Sequence, residues 1–295
     1  MRKFKTWEAS IEAYIENASI GRTRQTLRAI RVRLAHVSSL SETPRSLTKP
    51  AYLAWISAKE RELSSSYFRA INGDLIRLLR FINHPLAEAL SLHRVHVPES
   101  PIPTFSPRQL LQVNEWCFSA IDSPIAWRRR MAVYLLIAMT TGSRSAEICS
   151  LRWRYWTPEL GRFRLMETKT KRARWAVVGV HTIPLIEKWR LECEGDFVIP
   201  SLLLSHEPSS PNAIREKMKV VAQELGFESL RTKDFRSTVA KMIFEETGSL
   251  ELTAQTLGHE SIETTRRFYH RMEADSKTAL AVQTVFNKLL GAETI

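Results

Sequence analysis

The sequence predicts a mainly α-helical protein: an N-terminal bundle of four helices, then a larger, mostly helical domain with one small β-hairpin. Three observations predict it. Apolar residues recur at helical spacing through the first hundred positions, four prolines crowd residues 98–107, and two short β-prone runs flank a basic turn near residue 170. A length of 295 residues suits two domains, and 44% apolar content is ample for two cores.

Trp7, Ile11, Tyr14 and Ile15 share one face of a first amphipathic helix, and Leu27, Ile30, Leu34 and Val37 mark a second. Thr48-Lys49-Pro50 reads as a helix start, with Leu53 and Ile56 on the apolar side of the third. Tyr67, Ile71, Leu75, Leu78 and Ile82 form the longest stripe, after Ser64-Ser65-Ser66. Residues 1–97 form the first domain. Pro98, Pro101, Pro103 and Pro107 forbid helix continuation, so residues 98–105 read as a linker, and Ser106-Pro107 caps the next helix.

Residues 106–295 form the second domain. Arg162–Met166 and Arg174–Val178 pair as a hairpin around Lys169-Thr170-Lys171-Arg172. Helices follow at Ile183–Leu191, Pro211–Leu225, Phe235–Glu246 and Leu250–Leu257, the last three stopped by Gly226, Gly248 and Gly258. A last helix spans about 276–290, with Leu280, Val282, Val285, Phe286, Leu289 and Leu290 apolar; it packs either on its own domain or on a neighbouring protomer.

A net charge of +12 points to a polyanionic partner. The excess is concentrated: residues 1–97 carry 16 Lys+Arg against 8 Asp+Glu, and the remainder 27 against 23. Arg24, Arg28 and Arg31 lie around the second helical stripe and are candidates for gripping phosphates, as are Lys171 and Arg172 in the hairpin turn. Cys117, Cys149 and Cys193 form no CxxC pair, which fits a reducing cytoplasm and no structural zinc; Cys149 reads as a small core residue. The Leu135–Met139 run is too short to span a bilayer, so a soluble protein is expected.

The chemistry concentrates in the second domain. Tyr269 follows His259 by ten residues, and Arg144 and Arg236 stand upstream in Thr141-Gly142-Ser143-Arg144-Ser145-Ala146-Glu147 and Lys233-Asp234-Phe235-Arg236. A tyrosine nucleophile, cations for a pentavalent phosphate and a proton donor for the leaving oxygen suffice for strand transfer without a metal. A metal-dependent nuclease is disfavoured, because no acidic cluster accompanies these residues.

These motifs resemble the tyrosine site-specific recombinases, the phage integrase and Xer-like family, over nearly the whole chain. Thr141 to Leu151 fits the family's T-G-x-R-x-x-E-[IL]-x-x-L motif throughout, and Leu257-Gly258-His259 with Tyr269 fits its L-G-H and nucleophile. The resemblance implies the family's fold: a SAM-like four-helix bundle that clamps DNA, and a helical catalytic domain. It implies that Tyr269 attacks phosphorus to form a 3′-phosphotyrosyl link, with Arg144 and Arg236 holding the nonbridging oxygens. Phe268 takes the nine-residue place but has no hydroxyl. His259 would hydrogen-bond a phosphate oxygen or assist proton transfer. Lys169 is the candidate for protonating the departing 5′-oxygen, with Lys171 the alternative. Glu147 either orients Arg144 or forms a simple helix pair. Lys233 departs from the pattern, standing where the family has histidine, and Ser237 follows Arg236 where a second histidine is frequent.

The resemblance further implies double-stranded DNA as partner, a monomer or dimer that becomes a tetramer on paired sites, accessory DNA-bending proteins, and a cytoplasmic, nucleoid-associated enzyme of prokaryotic or phage origin. It implies no cofactor and no membrane. A DNA-binding relative without catalysis and a type IB topoisomerase-like enzyme are the alternatives. Retention of Arg144, Arg236, His259 and Tyr269 together argues against the first.

Overall fold

The computed structural model describes residues 4–93, 95–96, 102–166, 173–259, 261–263 and 265–266. The chain divides into two units, Met1–Ser100 and Pro101–Ile295.

In the first unit Thr6 caps α1 (Trp7–Ala18) by accepting the Ala9 amide, and the helix buries the predicted face of Trp7, Ile11, Tyr14 and Ile15. Helix α2 (Arg24–Leu34) buries Ile30 and Leu34, and α4 (Ser65–Phe81) buries Ile71, Leu75 and Leu78. Truncating a wholly buried residue such as Leu75 to alanine costs about 2–5 kcal/mol. Helix α3 (Lys49–Glu62) starts at the Thr48 cap as predicted but turns a different face inward. Leu53 is exposed, while Tyr52, Trp55 and Ile56 are buried, because two large aromatics bury more area than one leucine. A fifth helix, α5 (Ala87–Ser91), adds to the four expected.

The arginines of this unit divide into two groups. Arg33 and Arg77 both bond the wholly buried Asp74 at 2.5 Å, Arg33 from a mostly buried position and Arg77 from an exposed one, so both are tied up in holding the fold. Arg31 reaches Glu12 through two hydrogen bonds, at 3.0 and 2.6 Å, on the surface. Arg24 and Arg28 are exposed and form no ion pair with any described residue.

The second unit is built on α7 (Ala126–Thr141), whose Met131–Ala138 stretch is entirely buried. Against it pack α6 (Pro107–Ala120), α9 (Ile183–Arg190), α10 (Pro211–Glu224) and α11 (Thr232–Thr247). The Ser106–Gln109 capping box starts α6. Phe105, placed in the linker by the proline pattern, docks in this core: its ring lies 4.6 Å from that of Phe235, and its amide donates to Thr238. A short helix α8 (Ser145–Cys149) follows α7, and α12 (Leu250–Leu257) follows α11.

The hairpin forms, with one more strand than predicted. Strands β1 (Trp156–Thr157), β2 (Arg162–Leu165) and β3 (Arg174–Val177) make an antiparallel sheet in that order. Phe163 pairs with Trp156 on one side and Ala176 on the other, all three facing the core. Cys117 and Cys149 are buried free thiols, and Cys193 is a half-buried one. No described helix is long and apolar enough to cross a membrane.

Candidate active site

Two helix ends and one strand bring the site together. Helix α7 stops at Gly142, which takes a left-handed conformation at φ +58°. Only glycine fits: an added Cβ would lie 2.8 Å from Leu257 Cδ2 and 3.2 Å from Val239. Helix α12 stops the same way at Gly258, φ +65°, where a Cβ would lie 2.7 Å from Arg174 Cδ.

The two helix ends leave carbonyls free, and Arg236 takes both. Its Nη1 donates to Gly142 O at 2.9 Å and its Nη2 to Leu257 O at 2.7 Å. The negative ends of two helix dipoles thus face one guanidinium, from the second turn of α11. Burial, and then the nearby Arg144 cation, lower the Arg236 pKa to about 9 against the opposing pull of Glu147, so it is still charged at neutral pH.

Arg144 occupies the N-cap of α8. Its backbone amide donates to Glu147 Oε2 at 2.9 Å and its Nη1 to Oε1 at 2.7 Å. Of the two readings of Glu147, the structure shows more than a helix pair, because the carboxylate is only 2% exposed and holds a second arginine. Arg174, the first residue of β3, donates from Nη2 to Glu147 Oε2 at 2.8 Å and to Ser143 Oγ at 3.1 Å. Its Nη1 donates to Thr256 O at 2.8 Å. Burial alone would raise the Glu147 pKa, but Arg174 and Arg144 hold it below the usual carboxylate range, so it is ionised. Sequence reasoning missed Arg174, which looked like one more charge of a basic hairpin.

His259 follows Gly258. Its amide donates to Ala254 O at 2.9 Å, and its Nδ1 lies 2.7 Å from the hydroxyl of Thr265, a buried residue. Burial, followed by the charges of Arg236, Arg144 and Arg174, pushes its pKa down to about 4, so the imidazole is neutral near pH 7. A hollow of about 440 Å³ beside it is bordered by Thr141, Arg174, Thr256 and His259.

Lys233 stands exposed in the first turn of α11, one turn before Arg236. Tyr134, within the same unit, is wholly buried and bridges Ser145 and Thr232 at 2.8 Å each; burial raises its pKa, which suits a strut and not a nucleophile. Tyr269, Lys169, Lys171, Arg172 and the predicted helix 276–290 lie outside the described residues. No three described His, Cys, Asp or Glu side chains converge as metal ligands. Three guanidiniums and one carboxylate leave an excess of two positive charges in a half-buried cluster, which is suited to an anion with several oxygens.

A family model described as the phage integrase family matches residues 105–275, more than half of the chain and every element from α6 to α12. The chain belongs to that family. A tyrosine recombinase XerC from Xanthomonas axonopodis pv. citri (strain 306) is 28% identical over 153 residues, 50% of this chain and 48% of that protein. The XerC of Xanthomonas campestris pv. campestris (strain B100) is also 28% identical, over 50% of this chain and 46% of its own length. The chain therefore matches about half the length of these curated relatives. Among solved structures, a lambda integrase tetramer bound to a Holliday junction superposes with a TM-score of 0.69 at 18% identity, covering 87% of this chain and 78% of that one. XerH bound to its difH substrate gives 0.67 at 16% identity, over 85% and 78%. The Tn1549 transposon integrase with a circular-intermediate DNA gives 0.71 at 13%, over 93% and 100%. At such identities the likeness establishes the fold, which is the one the sequence motifs implied.

Proposed function

We propose that this protein is a DNA site-specific recombinase that breaks and rejoins strands through a 3′-phosphotyrosyl intermediate. The observation that carries the reading is the convergence of Arg144, Arg236 and His259, from three separate motifs, around one buried carboxylate. Arg144 and Arg236 neutralise the nonbridging oxygens as charge builds on phosphorus. Tyr269 Oη attacks, the P–O5′ bond breaks, and the phosphate becomes esterified to tyrosine. Lys169, or Lys171 in the alternative register, gives a proton to the departing 5′-oxygen, and Lys233 adds a cation beside the phosphate. Attack by a second 5′-hydroxyl reverses the step on another strand, so the phosphoester is conserved and no ATP is consumed.

The substrate is double-stranded DNA. The basic first unit clamps it through exposed arginines such as Arg24 and Arg28, with Arg31 able to exchange Glu12 for a phosphate. The residues 276–290 form a helix that docks on a neighbouring protomer in a tetramer on paired sites. The lambda integrase relatives solved on DNA as a dimer and as a tetramer support this assembly. Accessory bending proteins and a cytoplasmic, nucleoid-associated setting complete the reading.

A DNA duplex nicked near the scissile phosphate tests it by trapping the covalent intermediate. The parent should give an adduct that survives boiling in detergent, including in EDTA, and Tyr269→Phe should give none while still binding DNA. A full-strength adduct with Tyr269→Phe, or a strict magnesium requirement, would sink the assignment.

A further inference from the structure

We infer that Thr265 is a positioning residue that fixes the tautomer of His259, making its Nε2–H a hydrogen-bond donor to the substrate anion and not a base for the nucleophile. The identity of that anion rests on the function proposed above, whereas the tautomer is a property of the protein alone.

The contact has two possible polarities, Nδ1–H to oxygen or O–H to Nδ1, and the surroundings choose between them. Thr265 is 1% exposed, so its hydroxyl proton cannot be left to water. The other helical threonines of this unit show where such a proton usually goes. Thr140, Thr141, Thr238, Thr253 and Thr256 each donate to the carbonyl four residues back. Thr265 forms no such bond; among the described residues its hydroxyl has one partner, His259 Nδ1 at 2.7 Å. If Nδ1 carried the proton, the buried hydroxyl would donate to nothing among the described residues. The hydroxyl therefore donates to Nδ1. The cationic surroundings keep the ring neutral near pH 7, so its single proton sits on Nε2.

The backbone that carries the ring is held as well. The His259 amide is tied to Ala254 O, and the preceding Gly258 lies against the Arg174 side chain. Nε2 has no hydrogen-bond partner among the described residues, so its N–H is free to donate to an oxygen of the anion. A nitrogen already carrying a proton cannot take one from Tyr269, so that proton leaves by another acceptor. In the sequence Thr265 also stands four residues before Tyr269.

The test uses the full chain labelled with ¹⁵N-histidine, with Thr265→Val, which removes only the hydroxyl, and Thr265→Ser, which keeps it. Long-range ¹H–¹⁵N spectra near pH 7.5, with His259→Gln to assign the signal, read the tautomer directly and without DNA. The parent and Thr265→Ser should show one Nε2–H form, and Thr265→Val a mixture. On the nicked duplex, Thr265→Val should cleave on the order of tenfold to a hundredfold more slowly at unchanged DNA affinity, with Thr265→Ser near the parent. A thermal melt establishes that each variant is folded, and Thr265→Ala replaces valine if the latter is not. An Nδ1–H form in the parent, or a Thr265→Val protein with parental tautomer and rate, overturns the inference. A parent that holds Nε2–H yet traps no DNA supports the tautomer assignment and sinks the recombinase reading instead.

Discussion

The Glu147 carboxylate and the Arg174 guanidinium, 27 residues apart, meet at 2.8 Å with side chains only 2% and 9% exposed. Through this pair β3 is locked to α8 and, by the Thr256 carbonyl, to the end of α12. The same carboxylate orients Arg144, so an arginine proposed to hold the phosphate is aimed by a buried side chain behind it. Removing one partner of a buried pair leaves the other charge uncompensated. Arg174→Met should therefore lower stability by about 3 kcal/mol and slow strand cleavage far more than it weakens DNA binding. Denaturant melts and trapping on the nicked duplex check both halves; an unchanged cleavage rate would mean that Arg144 is aimed by Glu147 without help.

Glycine is required at the end of α7 for two reasons that can be separated. At Gly142 a side chain meets both an unfavourable positive φ and the Leu257 and Val239 side chains. At Gly248, φ +64°, a Cβ would meet nothing within 4 Å. Gly248→Ala should cost only the conformational strain, about 1–2 kcal/mol. Gly142→Ala should cost clearly more and also displace the carbonyl that holds Arg236, so cleavage falls with it. Equal melting shifts in the two variants would show that packing at Gly142 relaxes freely.

The sequence motifs named Arg144, Arg236 and His259 as candidates for the site, since strand transfer demands particular side chains at particular spacings. They could not disclose what holds those side chains. Arg236 is anchored by the carbonyls of Gly142 and Leu257, and a carbonyl has no sequence signature. Arg174 carries no sequence signature of its role either, because its burial depends on a carboxylate from a distant helix. In the first unit, helix boundaries followed from caps such as Thr48, but the buried face of α3 did not. Ile56 is buried as expected, but Leu53 fits a helical stripe as well as Tyr52 and Trp55 do, and only packing, such as that of Trp55 against Phe68 of α4, decides between them.

The depressed pKa of His259 has a thermodynamic consequence. The unfolded chain binds a proton near pH 6.5, whereas the folded ring resists protonation until about pH 4. Between these values the unfolded state holds more protons, so this site's contribution makes stability fall as pH drops from about 6.5 to 4 and leaves it unchanged above that window. His259→Gln should narrow the drop in melting temperature between pH 7 and pH 5.5, a range in which most carboxylates stay ionised. An identical drop in parent and variant would show that His259 protonates freely when folded.

Lys233 departs from the family's motif, as does Ser237, and its placement makes the departure testable. It lies exposed in the first turn of α11, one helical turn before Arg236. If its cation helps hold the transition state, Lys233→Ala should slow cleavage on the order of tenfold or more and change binding little, because the charge it opposes builds during reaction. Lys233→His should keep or raise the rate near neutral pH, since an imidazole with an ordinary pKa of about 6.5 exchanges protons there. Rates of the three proteins on one nicked duplex, measured from pH 6 to 9, distinguish the roles. A Lys233→Ala protein as fast as the parent throughout would make Lys233 a solvated residue of the first turn and leave the phosphate to Arg144, Arg236 and His259.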